Sequence, residues 1–163
     1  MNTPDAYQTD STGEIYRRRA DMVYRVCYSY LRSPYDAEDA AADTFVNLMR
    51  YRPQFQSEEH EKAWLIRAAI NISKNMLKRS SRRDLPLGEF ETLASPPEPS
   101  NEVLGAVLAL PEKYRIVIYL HYYEGYKTAE IAKLLRCPDS TVRNRLSDAR
   151  QILKLKLGDG FDE

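Results

Sequence analysis

The chain has 163 residues, enough for one domain of roughly 150 residues or two smaller ones joined by a linker. Its 24 Lys and Arg cancel its 24 Asp and Glu, so net charge excludes no partner and only the placing of charge along the chain is informative. Hydrophobic residues make up 43% and charged residues 29%, and the longest apolar stretch, Val103 to Leu110, is far short of the ~18 residues that span a bilayer, which excludes a membrane protein.

The N-terminus, MNTPDAYQTDSTGE, is polar and acidic and lacks the basic-then-apolar order of a secretory signal, which predicts a cytoplasmic chain. Three stretches follow in which apolar residues recur at helical spacing. The first carries Met22, Val23, Val26, Cys27, Tyr30 and Leu31 and ends near Ser33-Pro34. The second carries Ala37, Ala40, Ala41, Phe45, Leu48 and Met49 and runs until Pro53. The third carries Leu65, Ile66, Ala69, Ile70, Met76 and Leu77, with Trp64 alongside. No alternating strand pattern competes, so residues 1–84 are expected to form a bundle of three helices, with room for a short fourth.

Residues 85–101 differ in kind. They read LPLGEFETLASPPEPSN, with four prolines, three acidic residues and no basic one. Such a segment cannot continue a helix and is expected to be an extended linker that reaches roughly 55 Å. Residues 102–163 then predict four short helices. Val103, Leu104, Val107 and Leu108 mark the first, which stops at Leu110-Pro111. The second runs from Glu112 to Tyr123, with Pro111 suited to its start. Thr128 is placed to cap the third, which runs through Leu135, and Pro138 to open a fourth that reaches about Leu157. The fold class is therefore all-α, with two small helical domains.

Residues 128–157 carry the sharpest functional signal. Ile131, Leu134 and Leu135 can pack against Val142, Leu146, Ala149 and Leu153 across a turn of about four residues, Arg136 to Asp139, which is the spacing of a helix-turn-helix. With that face inward, Thr141, Asn144 and Arg145 project near the start of the second helix, flanked by Arg143. These residue types read base edges or phosphates in a major groove. Residues 127–157 hold eight basic and three acidic side chains, a surplus suited to phosphates. A second basic run, KNMLKRSSRR at 74–83, follows the third helix. By contrast DAEDAAADTF at 36–45 is purely acidic: Asp36 and Glu38 suit a first helical turn, while Asp39 and Asp43 share one face, where they repel unless a basic partner compensates. That face is a candidate protein-docking site.

Catalysis finds little support. The six glycines are scattered, no HExxH occurs, and the two histidines, His60 in a polar loop and His121 among tyrosines, stand apart. Glu58-Glu59 lies in the same polar loop without an apolar wall to shift a pKa. Cys27 and Cys137 form no CxxC pair and read as small buried hydrophobes. No metal site, cofactor or enzymatic centre is expected.

At this point the residues resemble a family. DAEDAAADTFVNLMRYRPQF with KAWLIRAAINISKNMLKRSSRR is similar to the second region, and LALPEKYRIVIYLHYYEGYKTAEIAKLLRCPDSTVRNRLSDARQIL to the fourth region, of the bacterial sigma factors of extracytoplasmic-function type. The resemblance implies a dissociable specificity subunit of RNA polymerase. It assigns Asp39, Asp43, Phe45 and Leu48 to docking on the clamp helices of the largest polymerase subunit, and the second domain to the flap of the second largest. The loop from Pro53 to Lys62 would capture an unstacked base of the −10 non-template strand, with Phe55, Glu58, His60, Lys62 and the neighbouring Trp64 as contacts, while Asn71, Lys74, Lys78 and Arg79 hold the opened backbone. Lys127, Thr128, Ser140, Thr141, Arg143, Asn144 and Arg145 would read the −35 duplex. The acidic linker would thread polymerase channels, and an anti-sigma protein would mask the docking surfaces. Two departures, Asn75 where many relatives carry an acid and Cys137-Pro138 in the turn, bear on the promoter sequence. Two other readings stand beside this one. A stand-alone helix-turn-helix repressor or activator leaves the 74–83 tract without a use, and a helical nuclease lacks clustered metal-binding carboxylates.

Overall fold

The computed structural model describes residues 12–82 and 102–158, and the chain divides into two compact units, Met1–Glu89 and Phe90–Glu163. The expected linker at 85–101, the basic residue Arg83 and the polar N-terminus lie outside the described residues.

The first unit contains α1 (Thr12–Leu31), α2 (Pro34–Tyr51) and α3 (Glu58–Arg82), each packed on the other two. The α1 stripe is buried throughout, from Met22 and Val23 to Tyr30 and Leu31, and Ile15 extends it. Ala37 and Ala40 of α2 are fully buried; side chains that small let helix axes approach to the short end of the ~8–10 Å range. Leu65, Ile66, Ala69 and Ile70 of α3 complete the core. The expected stripes overreach at two places. Met49 is 52% exposed, because it stands one helical step of about 100° beyond Leu48 and so leaves the seam that Phe45 and Leu48 fill. Met76 and Leu77 are only half-buried, and Ala41 likewise.

The α1–α2 turn is tight. Arg32 takes the left-handed conformation (φ 57°) and donates its N–H to Tyr28 O at 2.9 Å, which closes α1. The Ser33 hydroxyl accepts from Asp36 N–H at 3.3 Å while Pro34 fills the first helical position, so α2 starts with one of its orphan donors satisfied. The buried hydroxyls of Ser29 and Thr44 bond back to Val26 O and Ala40 O at 2.7 and 2.8 Å.

Cys27 is fully enclosed in this core. Burial pushes its thiol up to about 11. Below its unfolded value of 9.0 the thiol is neutral in both states and its contribution to stability is whole; that contribution is lost as pH rises through about 11. In the native protein at pH 8, iodoacetamide is therefore expected to label half-exposed Cys137 and spare Cys27, with both labelled in denaturant. Mass spectrometry of the two peptides checks this, and equal native labelling would contradict it.

The second unit contains α4 (Glu102–Leu108), α5 (Glu112–Ile118), a π-helical turn (Tyr119–Tyr123), α6 (Thr128–Leu135) and α7 (Asp139–Leu157). Helices α4, α5 and α6 all pack on α7. The core is built from Leu110, Ile116, Val117, Leu120, Ile131, Leu134, Val142, Leu146, Ala149 and Leu153. Apolar α4 contributes no buried residue, and Val103 and Leu104 stand exposed. Arg115 is buried, and its guanidinium donates to Leu110 O. The continuous helix expected from Glu112 to Tyr123 changes pitch at Tyr119, where Glu124 N–H bonds Tyr119 O at 3.1 Å, five residues back. The wider turn stacks Tyr119 on Tyr123, centroids 5.2 Å apart. Thr128 is the first helical residue of α6 rather than its cap; Lys127 holds the cap position, and its N–H bonds the Glu130 carboxylate at 2.8 Å. The acid three residues on out-competes a hydroxyl one residue too late.

Candidate nucleic-acid interface

Helices α6 and α7 form a helix-turn-helix. Arg136 adopts φ 59° and Cys137 N–H bonds Ala132 O at 3.0 Å, so the reversal takes three residues, Arg136 to Pro138, one fewer than expected. The left-handed step breaks α6, and Pro138, extended at ψ 151°, starts α7. Because Val142, Leu146 and Ala149 point inward, Ser140, Arg143 and Asn144 stand exposed on the opposite face, with Thr141 and Arg145 half-buried at its edges. Arg143 pairs with Asp139 one turn earlier at 2.7 Å, both partly exposed. Such surface pairs are weak, so a phosphate can displace Asp139 at small cost. Lys127 is exposed and Thr128 half-buried at the start of α6. Lys133 and Arg136 are exposed as well, and their place in the basic surplus was the available signal for adding them to this surface.

In the first unit, the sequence-predicted loop is shorter than Pro53 to Lys62. Glu58, Glu59, His60 and Glu61 form the first turn of α3, where the three acidic residues suit the positive end of the helix dipole. Ser57 caps this turn, its hydroxyl accepting from His60 N–H at 3.0 Å, and His60 Nδ1 accepts from Gln56 N–H at 3.1 Å. Phe55 is 4% exposed. It meets His60 and Trp64 edge-on, at 5.3 and 6.0 Å between centroids, so it supports the loop from below and is not itself available as a contact. His60 and Glu58 are exposed, and Lys62 and Trp64 half-buried. Beyond them Asn71, Lys74, Lys78 and Arg79 are all exposed, a polar and cationic row at helical spacing. Half-buried Arg67 belongs to the same row, four residues before Asn71; the spacing alone could have found it.

The exposed face of α2 also corrects the sequence reading by one helical step. Asp39 and Asp43 are exposed. Phe45 and Leu48, assigned with them to docking, are 6% and 4% exposed and belong to the core, because the seam facing α1 repeats through those positions. The side chains beside the two acids are Glu38, Ala42, Val46 and Met49. A cleft of about 380 Å³ between α1 and α2 adjoins this face, lined among others by Asp21, Glu38, Tyr16 and Phe45, the two rings edge-on at 4.9 Å between centroids.

Buried Glu61 was not singled out by sequence reasoning at all. It lies fully inside, held by Arg18 at 2.7 Å and Arg19 at 2.9 Å. His121 bonds Tyr126 O through Nδ1 at 2.9 Å and lies edge-on to Tyr122. Among the described residues no three His, Cys, Asp or Glu converge as metal ligands, and no helix is long and apolar enough to cross a membrane.

Comparison with known proteins gives these surfaces a context. Residues 15–83 match the family model for sigma-70 region 2, and residues 100–153 that for sigma-70, region 4. The chain is 27% identical to the ECF RNA polymerase sigma factor SigW of Bacillus subtilis (strain 168), over 92% of this chain and 90% of that protein. It is 30% identical to the ECF RNA polymerase sigma-E factor of Haemophilus influenzae, over 75% of each. Its fold is similar to that of the sigma factor RpoE of Bartonella quintana, solved in complex with the anti-sigma factor NepR, with a TM-score of 0.71, 24% identity, and coverage of 90% of this chain and 97% of that one. Both region models in order along one short chain, together with a relative matched over three quarters of its length, place this protein among the extracytoplasmic-function sigma factors of the sigma-70 family, non-enzymatic proteins that direct RNA polymerase to promoters and to the start of transcription.

Proposed function

We propose that the two units divide promoter recognition between them. The first unit docks on the clamp helices of the largest polymerase subunit through the exposed face of α2, with Asp39 and Asp43 facing cations and Val46 and Met49 supplying apolar contact. Its 52–57 loop and the α3 row receive the −10 non-template strand: an unstacked base enters beside His60 and Trp64, and Asn71, Lys74, Lys78 and Arg79 hold the phosphates. A single strand needs both, since stacking surfaces take the base while cations follow the backbone. Extruding a base costs only a few kcal/mol, so capture of the open strand is enough to hold the melted state, and no hydrolysis is involved.

The second unit reads the −35 duplex with α7 and the start of α6, and meets the flap of the second largest subunit. The Pro-rich acidic stretch at 85–101 links the units through polymerase channels. The protein acts in the cytoplasm, and an anti-sigma protein covers its docking surfaces, as the RpoE–NepR complex supports by analogy of fold.

The observation that carries this reading is the exposed cationic row of α3 directly following the Phe55–His60–Trp64 cluster. Each cation that neutralises a phosphate of single-stranded DNA contributes about 0.7 to the slope of log affinity against log salt. Replacing Lys74, Lys78 and Arg79 together by alanine is expected to lower that slope by about 2 for −10 strand binding by the polymerase holoenzyme. Binding to −35 duplex should not change. An unchanged strand slope would remove α3 from the strand path.

A further inference from the structure

We propose that Glu61 is a positioning residue for strand capture, fixing the 52–57 loop from beneath through its two arginines. The inference rests on the strand-capture reading and extends it to a residue that no DNA can touch, because Glu61 has no exposed surface.

The geometry runs in one chain of contacts. Arg18 Nη2 donates to Glu61 Oε2 at 2.7 Å, and Arg19 Nε donates to Oε1 at 2.9 Å. Arg19 Nη2 also reaches Glu58 O at 3.4 Å, so one guanidinium grips both the carboxylate and the backbone of the first turn of α3. Glu61 N–H in turn bonds Ser57 O at 3.0 Å. Ser57 is the last residue of the loop, and its hydroxyl caps His60. Gln56 N–H bonds His60 Nδ1 at 3.1 Å, on the same turn. The loop is thus tied to α1 through Glu61.

Chemistry separates this arrangement from ordinary core cement. Apolar side chains of the same volume hold two helices together as well as a buried ion pair or better, since an ionic group must first be stripped of water. What a carboxylate between two guanidinium groups adds is direction: planar forks accept only a narrow range of angles. A first turn held in angle as well as in depth is what a base-sized pocket beside it requires, because a shift of about 1 Å is enough to misplace a bound group.

The test uses full-length protein assembled with core RNA polymerase, and two fluorescent single-stranded oligonucleotides. One carries the −10 non-template sequence of a start site mapped with the same holoenzyme; the other has its captured base replaced. Wild-type protein should prefer the first. Glu61→Gln keeps the shape and removes the charge; it should lower that preference by about tenfold or more, while affinity for core polymerase stays within about twofold. A Glu61→Gln holoenzyme that discriminates like wild type, or one that loses core binding in the same proportion, overturns the positioning role. If far-UV circular dichroism shows that this variant does not fold, Arg19→Lys decides by the same ratio: it keeps the cation but loses the fork that spans Glu61 and Glu58 O. A fall of about threefold or more supports the role and an unchanged ratio overturns it. Wild-type protein that does not discriminate would instead overturn the strand-capture reading itself.

Discussion

Leu120→Ala is expected to unfold the second unit while the first melts as before. Leu120 has no exposed surface and sits where the π turn faces the core. Removing a buried leucine side chain costs about 2–5 kcal/mol, since the transfer loss is joined by the cavity left behind. A helical unit of this size, at about 0.05–0.15 kcal/mol per residue, has a total stability of only some 3–9 kcal/mol. The substitution therefore removes a large share of it, and the whole of it where the total lies at the low end of that range. The side chain is remote in sequence from α7, so loss of −35 binding would follow from unfolding and not from a lost contact. Calorimetry should show one transition moved down or abolished and the other unchanged, with core docking by the first unit retained. A single transition moving as a whole would show that the units fold as one.

The second large effect concerns docking. Asp39→Lys with Asp43→Lys is expected to leave folding intact and to lower affinity for core polymerase by about a hundredfold or more. Both acids are exposed, and surface changes of this kind usually move stability by no more than about 0.5 kcal/mol. At a protein interface the balance is different. Coupling energies of close charge pairs reach about 1.5–7 kcal/mol, and reversal turns each attraction into a repulsion. Two such sites exceed the ~2.7 kcal/mol of a hundredfold change. The loss should shrink as salt is raised. Competition against wild-type protein for limiting core polymerase measures it, and equal competition would show that the acidic face of α2 is not the docking surface.

How much was legible in the sequence depended on whether a signal was local. The α1 stripe, the order of the helices and the α6–α7 seam follow from helical spacing alone, and the structure buries Val142, Leu146, Ala149 and Leu153 as that spacing requires. Errors arose where a neighbouring element decides. Phe45 and Leu48 look as available for docking as Val46 and Met49 until α1 is laid against α2. Glu61 looks like one more acid in a polar loop, because its arginines are more than forty residues away in sequence. The π turn at Tyr119 leaves no mark in apolar periodicity, since it displaces the register by a single residue. At Lys127, two capping signals compete within four residues, and only the backbone shows that Glu130 prevails. The stand-alone repressor or activator, which the helix-turn-helix by itself permits, gives way to the sigma-70 region 2 match over residues 15–83.

The proposed function requires one chain to serve polymerase with two DNA-reading surfaces. The most direct measurement mixes purified protein with sigma-free core RNA polymerase and maps the transcripts started on its own genome's upstream DNA. The predicted result is a stable complex whose start sites share an element near −10 and another near −35, with the −10 sequence lost as a requirement on templates already melted there. A protein that forms no complex with core polymerase, yet binds duplex DNA alone, would contradict the account.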